Sequence, residues 1–143
     1  MLEFISSSEK DTEQIGEQLA AKLKGGEVIA FRGDLGAGKT CFTRGLAKGL
    51  GYDGAVTSPT FALINEYRGG RLDIFHFDMY RVCDWDSLYS TNFFEYLDEG
   101  GVVVAEWSEN IDGALDKENT IYVTIDKTGE NSRSIKISGV DLP

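Results

Sequence analysis

An α/β fold, with a mixed, mostly parallel central sheet flanked by helices and carrying β-hairpins, is predicted by three features of the sequence. A short apolar run of strand length, residues 27–31, leads through a glycine-rich loop into an amphipathic helix. A second run, GVVVAEW at 101–107, is β-branched and apolar enough to be buried on both faces, as the inner strands of parallel sheets are. Two further pairs of stretches alternate around turn residues, the pattern of antiparallel hairpins. Parallel strands linked by a helix, extended by hairpins, make one mixed sheet.

The elements follow in order. Ser8 or Asp11 caps a helix whose apolar positions Ile15, Leu19 and Leu23 recur every four residues, and Gly25 and Gly26 end it. After the strand at 27–31 and the glycine loop, a helix starts near Lys39. Phe42, Leu46 and Leu50 line one of its faces, Arg44 and Lys48 another, and Gly51 stands where a C-terminal cap belongs. FALINEY (61–67) and LDIFHFDMY (72–80) flank the turn at 68–70 as one hairpin. Residues 85–97 read as a helix of less regular spacing, and 101–107 as a central strand. TIYVTI (120–125) and SRSIKI (132–137) form the second hairpin. Without a repeat, a low-complexity stretch or a linker, residues 1–143 read as a single domain.

Composition narrows the function. A chain of 143 residues with 41% hydrophobic and 27% charged residues has the make-up of one soluble globular domain. No apolar run approaches the roughly 18 residues of a membrane span. The first ten residues include Glu3 and lack a long apolar core, so the chain is expected to stay where it is made, in the cytoplasm. Cys41 and Cys83 are too few for a disulfide framework or a zinc site. A net charge of −10 opposes nucleic acid, whose binding depends on neutralising phosphates.

Residues 33–40, GDLGAGKT, fit the pattern G-x-x-x-x-G-K-[ST]. Chance would produce it about once in a hundred chains of this composition. The strand before it and the helix after it were read from periodicity alone, and they are the context the pattern needs. A plain glycine-rich turn, the competing reading, gives no reason for Lys39 and Thr40. A phosphate cradle does. Gly36 and Gly38 let the backbone curl so that successive N–H groups face phosphate oxygens, with Asp34, Leu35, Gly36, Ala37, Gly38, Lys39, Thr40 and Cys41 as the binding stretch. Lys39 reaches the β- and γ-phosphates of a nucleotide and the Thr40 hydroxyl ligates Mg²⁺, while the Cys41 thiol packs under the loop. Residues 32–48 carry Arg32, Lys39, Arg44 and Lys48 against Asp34, a net +3 on a negative chain, and these cations are expected at the phosphates.

Phosphoryl chemistry also needs an acid at the end of a neighbouring strand. Two residues qualify, Asp78 closing IFHFD and Glu106 closing VVVAE. One holds the metal and the other orients the attacking water; the first division to test gives Mg²⁺ to Asp78 and the water to Glu106, and the reverse stays open. His76 reads as a histidine satisfied by hydrogen bonds beside the site rather than as a catalyst. Thr60, in TSPTF (57–61), is the candidate for a nucleotide-responsive loop that touches the γ-phosphate and Mg²⁺, against the alternative of a turn that starts a strand. Trp107, directly after Glu106, either stacks beside the site or packs in the core.

GDLGAGKT, SPTF, HFDMYR and EW, in this order within a chain of this length, resemble the TsaE (YjeE) family, small bacterial ATPases required for making threonylcarbamoyladenosine in tRNA. The resemblance runs from about Ile5 to Asn110, and its last three motifs are not general to phosphate-loop proteins. It implies a P-loop NTPase-like fold, ATP and Mg²⁺ as cofactors, and a cytoplasmic complex with the TsaB and TsaD proteins. It also implies that Lys39 is the phosphate lysine, Thr40 a metal ligand, Thr60 part of the responsive loop, and Asp78 and Glu106 the site acids beside Trp107. The chain departs from the family at Ser108, where proline is usual, at Cys41, where threonine is usual, and in LYSTNFFEYL, which matches only loosely. None of these side chains carries a phosphate or metal role.

Rival classes fit less well. A nucleoside monophosphate kinase needs an arginine-rich lid and acceptor domain, and six Arg leave no room for them. The N-K-x-D signature of a GTPase is absent. A nucleotide-gated adaptor, in which ATP binding rather than hydrolysis matters, stays open as the alternative. The acidic stretch 84–99 and the commitment of the basic cluster to the nucleotide leave no surface for direct tRNA binding, so a partner is expected to hold the tRNA. Replacing Lys39 with Ala is expected to weaken Mg-ATP binding about ten- to a hundredfold with the fold intact, since charge-assisted hydrogen bonds contribute about 1.5–3 kcal/mol. Calorimetry checks this, and unchanged affinity would make the loop purely structural.

Overall fold

The structure, a computed structural model, describes residues 2–33, 38–56 and 64–140. The chain runs β1 (Leu2–Ser6), α1 (Glu9–Ala20), β2 (Val28–Gly33), α2 (Lys39–Gly49), β3 (Ile64–Tyr67), β4 (Ile74–Asp78), α3 (Trp85–Tyr89), α4 (Phe93–Asp98), β5 (Val102–Glu106), a kinked stretch of 3-10 helix (Ser108–Ala114), β6 (Thr120–Lys127) and β7 (Arg133–Ser138). The strands form one sheet in the order β1-β7-β6-β2-β5-β4-β3.

β2 pairs in parallel with β5 and β6, and β5 in parallel with β4. β7 is antiparallel to both β6 and β1, so β1 points the same way as β6, and β3 turns back along β4. Five of the seven strands therefore end on one edge of the sheet. Ligands of such sheets gather at the carboxyl ends of the strands, and here those ends are followed by the start of α1, the glycine loop, Asp78, Glu106 and the β6–β7 turn.

Alternation along the inner strands builds two apolar layers. Ile29, Phe31, Val102 and Val104 face α1 and α2, together with Leu19, Phe42 and Leu46. Val28, Phe75, Phe77, Val103 and Ala105 face the other way, under Leu88, Phe93 and Ile111. With both sides covered, the first four residues of β2 and of β5 are buried, which explains the unbroken apolar runs VIAF and VVVA.

The helix pair on the first layer packs backbone to backbone. A Cβ on Gly45 would lie 2.0 Å from the Glu13 carbonyl oxygen, and one on Gly16 would lie 2.4 Å from that of Phe42. Ser8 caps α1 by accepting the Asp11 N–H at 3.1 Å, and Asp11 returns a bond from the Ser7 N–H at 3.0 Å. The helix stops at Ala20, short of the expected end at Gly25. Its last turn tightens through bonds from the N–H of Lys22 to Leu19 and of Leu23 to Ala20. The Arg71 guanidinium then caps the Ala20 and Leu23 carbonyls at 2.7 and 2.9 Å, while Leu23 stays in the core.

Other expectations also shift. The single helix expected at 85–97 is two short ones, α3 and α4, separated by Asn92 at φ +62°. β1 and the 3-10 stretch were not foreseen. The first part of the expected hairpin strand, 61–63, lies outside the described residues. No helix among the described residues is long and apolar enough to cross a membrane. Gly45→Ala is expected to destabilise the protein by about 1–3 kcal/mol through overpacking. Gly113→Ala, whose Cβ would meet nothing within 4 Å, is the control, and urea unfolding of the two variants measures the difference.

Candidate active site

Strand β2 delivers the site. Its last residue, Gly33, has φ +105°, and a Cβ there would lie 2.1 Å from the Ile125 carbonyl oxygen, so only glycine lets the chain leave the sheet at this point. Asp34, Leu35, Gly36 and Ala37 lie outside the described residues. The chain is next described at Gly38, φ +108°, the N-cap of α2, which has no side-chain cap of its own. Gly38 thus brings no side chain to the first N–H groups of α2, and helix N-termini are where backbone N–H groups meet anions.

Lys39 and Thr40 open that helix. Lys39 is 9% exposed, and its Nζ lies 3.4 Å from the Gly33 carbonyl oxygen, a long bond back to the end of β2. Both line a cavity of about 490 Å³ together with Gly38, Cys41 and Glu106. Burial pushes the Cys41 thiol up, with the negative charge of Glu9 adding to it and Arg44 opposing it.

Glu106 and Asp78 are register partners on adjacent parallel strands. They differ in surroundings. Glu106 lines the cavity, and its Oε2 lies 2.6 Å from Nε2 of the fully buried His76, whose Nδ1 lies 3.3 Å from the Tyr67 hydroxyl. In the Nε2–H tautomer His76 donates to the carboxylate and accepts from the phenol, so one chain of hydrogen bonds fixes Glu106. Asp78 accepts the Tyr80 N–H at 2.9 Å through Oδ1 and does not line the cavity. Trp107, at φ +60°, is also away from it, its ring 4.9 Å from that of Tyr80 and packed against the layer beneath α3 and α4. Thr60 lies outside the described residues.

The expected basic cluster disperses. Arg32 pairs with Asp112 and lies over the Tyr122 ring, Arg44 bonds Glu13 at 2.9 Å, and Lys48 lies 3.5 Å from Glu17. Of the four cations only Lys39 lines the cavity, because α2 carries Arg44 and Lys48 on the flank that meets acids of α1. A different cation takes part: Arg133, whose Nε would lie 3.9 Å from a Cβ on Gly38. Ser8, Glu9 and Thr12 of the α1 entry and Glu130 and Asn131 of the β6–β7 turn complete the wall. Sequence reading missed these residues. Their only local signals were a helix cap and a turn, and strand order alone brings them to this edge.

A parallel strand ending in an obligatory glycine, a lysine at the first position of the following helix, and an acid from the neighbouring strand on the same cavity define a P-loop α/β protein. The TsaE family, described as threonylcarbamoyl adenosine biosynthesis protein TsaE, matches residues 6–135, and the chain belongs to it. It is 44% identical to the tRNA threonylcarbamoyladenosine biosynthesis protein TsaE of Aquifex aeolicus, with 94% of each chain covered. With the Bacillus subtilis protein of the same description it shares 37% identity over 97% of this chain and 86% of that one. The crystal structure of Bacillus subtilis YdiB superposes with a TM-score of 0.78 at 35% identity, covering 95% of this chain and 83% of that chain. The family takes part in making threonylcarbamoyladenosine in tRNA.

The hydrogen-bond chain gives a direct check. Nitrogen-15 NMR of the resting protein is expected to show His76 protonated at Nε2. His76→Gln, whose amide can still donate to Glu106, should be less destabilised than His76→Phe, which removes the donor to the half-buried Glu106 carboxylate, by about 1–3 kcal/mol. Equal stabilities would mean that the chain does not hold the carboxylate.

Proposed function

We propose that the protein is a Mg²⁺-dependent ATPase that supports N6-threonylcarbamoyladenosine formation at position 37 of tRNA by acting on a complex of TsaB and TsaD. The observation that carries the reading is the meeting of Lys39, at the start of α2, with Glu106, at the end of β5, on one cavity. The names of the relatives support the tRNA end of the proposal.

The residues present suit ATP and magnesium. The 3.4 Å bond from Lys39 to the Gly33 carbonyl is loose enough to exchange for a phosphate oxygen. The Thr40 hydroxyl and the Glu106 carboxylate are hard oxygen donors of the kind Mg²⁺ takes beside substrate phosphates, and they are the groups that would hold it. Bound Mg²⁺ supplies neutralisation of charge on the transferring phosphoryl group. The protein's own part is positional. Lys39 and the α2 N–H groups bind and align phosphates, His76 keeps the Glu106 carboxylate turned to the cavity, and the wall of Ser8, Thr12 and Arg133 leaves room for the rest of the nucleotide. Asp78, one strand further out, supports this edge through its bond to the Tyr80 N–H. The pairing of Arg32, Arg44 and Lys48 with acids supports the view that tRNA is held by a partner.

Phosphate release measured with and without TsaB–TsaD tests the reading. The isolated chain is expected to turn over slowly, and its partners to raise the rate, since a residue supplied in trans contributes up to about 10³–10⁵. Glu106→Gln should bind ATP nearly as well as the wild type and lose about a hundredfold or more in turnover, with a smaller loss for Asp78→Asn. Full support of tRNA modification by Glu106→Gln would establish a nucleotide-gated adaptor instead.

A further inference from the structure

Three of the most exposed large apolar side chains among the described residues, Tyr80 (62%), Trp85 (53%) and Tyr89 (59%), belong to the layer built from α3, α4 and the 3-10 helix. Trp85 and Tyr89 lie one helical turn apart with ring centroids at 6.2 Å, and Tyr89 continues to Phe94 at 5.5 Å, giving an unbroken strip of rings. Beside the strip a groove of about 250 Å³ opens between α3 and the 3-10 helix, lined by Val82, Trp85, Leu88, Asn110 and Ile111. Exposed aromatic area next to an apolar recess is a mark of a protein interface, where Trp and Tyr carry most of the binding energy.

Charge identifies the partner. Beginning just after Arg81, residues 82–116 contain nine acids and no Lys, Arg or His. Glu106 belongs to the cavity, and Asp112 and Glu99 are paired with Arg32 and Arg68. Asp84, Asp86, Glu95 and Glu109 remain exposed on the elements around the groove. Such a rim favours a surface rich in Lys and Arg and repels a nucleic acid.

The groove is also joined to the active site. β4 passes from Asp78 directly into the wall that contains Val82, and β5 passes from Glu106 through Trp107 into the 3-10 helix that forms the other wall. Asn110 ties the walls together by donating through Nδ2 to the Met79 and Tyr80 carbonyls at 2.9 and 3.2 Å, and the Met79 N–H donates to the Glu106 carbonyl at 2.9 Å. The groove therefore borders both acid-bearing strand ends, on the side of the sheet opposite α1 and α2.

We propose that this groove receives an apolar side chain from a basic surface of a second protein, and that its occupancy sets the rate of ATP turnover through the ends of β4 and β5. The proposal rests on the reading that a partner protein stimulates the ATPase, and it places that contact. The test titrates the TsaB–TsaD complex, as probe, into the wild-type chain, Trp85→Ala and Asp86→Lys with Mg-ATP present, after thermal melts establish that both variants are folded. Wild-type binding should weaken as salt rises. Trp85→Ala should lose about tenfold or more in affinity, and Asp86→Lys should bind more weakly with a shallower salt dependence. Both should keep the isolated chain's ATP affinity and basal turnover while losing stimulation in step with binding. Binding and stimulation equal to the wild type in both variants would overturn the groove and leave the partner reading standing. No binding by the wild-type chain would overturn both.

Discussion

Gly33 must leave the sheet where there is no room for a side chain. Its neighbour in register is Ile125, whose carbonyl oxygen occupies the place of a Cβ, and its positive φ is one that favours glycine. Beyond that exit, Lys39 and Glu106 line one cavity. The tight contact of α2 with α1 then carries the constraint outward: with backbones touching at Gly16 and Gly45, the entry of α1 is held against the start of α2. Ser8 and Thr12 become one wall of the cavity by this packing, helped by the hydroxyl pair of Ser6 and Thr12 at 2.7 Å.

A second constraint is polar. β4 is buried nearly throughout, yet His76 sits in its middle with no exposure at all. A buried imidazole without partners is costly, and here Tyr67 on one side and Glu106 on the other use both nitrogens. The same arrangement binds β3, β4 and β5 together across their side chains, so the acid at the cavity is braced by the edge of the sheet rather than by its own strand alone.

Much of this was legible in the sequence because it is local. Apolar runs at 27–31 and 101–107 mark strands buried on both faces, and the strand–glycine loop–helix order fixes Gly33, Gly38, Lys39 and Thr40 at one point. His76 as a hydrogen-bonded neighbour of the site also follows from a lone polar ring in an apolar strand. What was not legible depends on strand order. Nothing near residue 133 says that Arg133 ends beside Gly38, and nothing at Ser8 or Thr12 points to a cavity, since β1 and β6 reach that edge only through the sheet's topology. Arg44 and Lys48 lie close to the glycine loop in sequence, but on a helix they share a flank that meets Glu13 and Glu17 instead. The equivalence of Asp78 and Glu106 as strand-end acids holds in register and breaks in environment.

The pairing of β1 with β7, Phe4 opposite Ile135, bears on the order in which the molecule assembles. These strands lie near opposite ends of the sequence, and joining them closes nearly the whole chain into a loop, a contact whose entropy cost comes before any reward. The interior strands β2, β4 and β5 can associate over shorter separations, so Gly33 and Glu106 can be in place while the first strand is still unpaired. The cavity wall supplied by the start of α1 and by the β6–β7 turn depends on that last closure. During synthesis on the ribosome, then, a chain whose inner strands have already paired still lacks a complete cavity until β7 has emerged and captured β1.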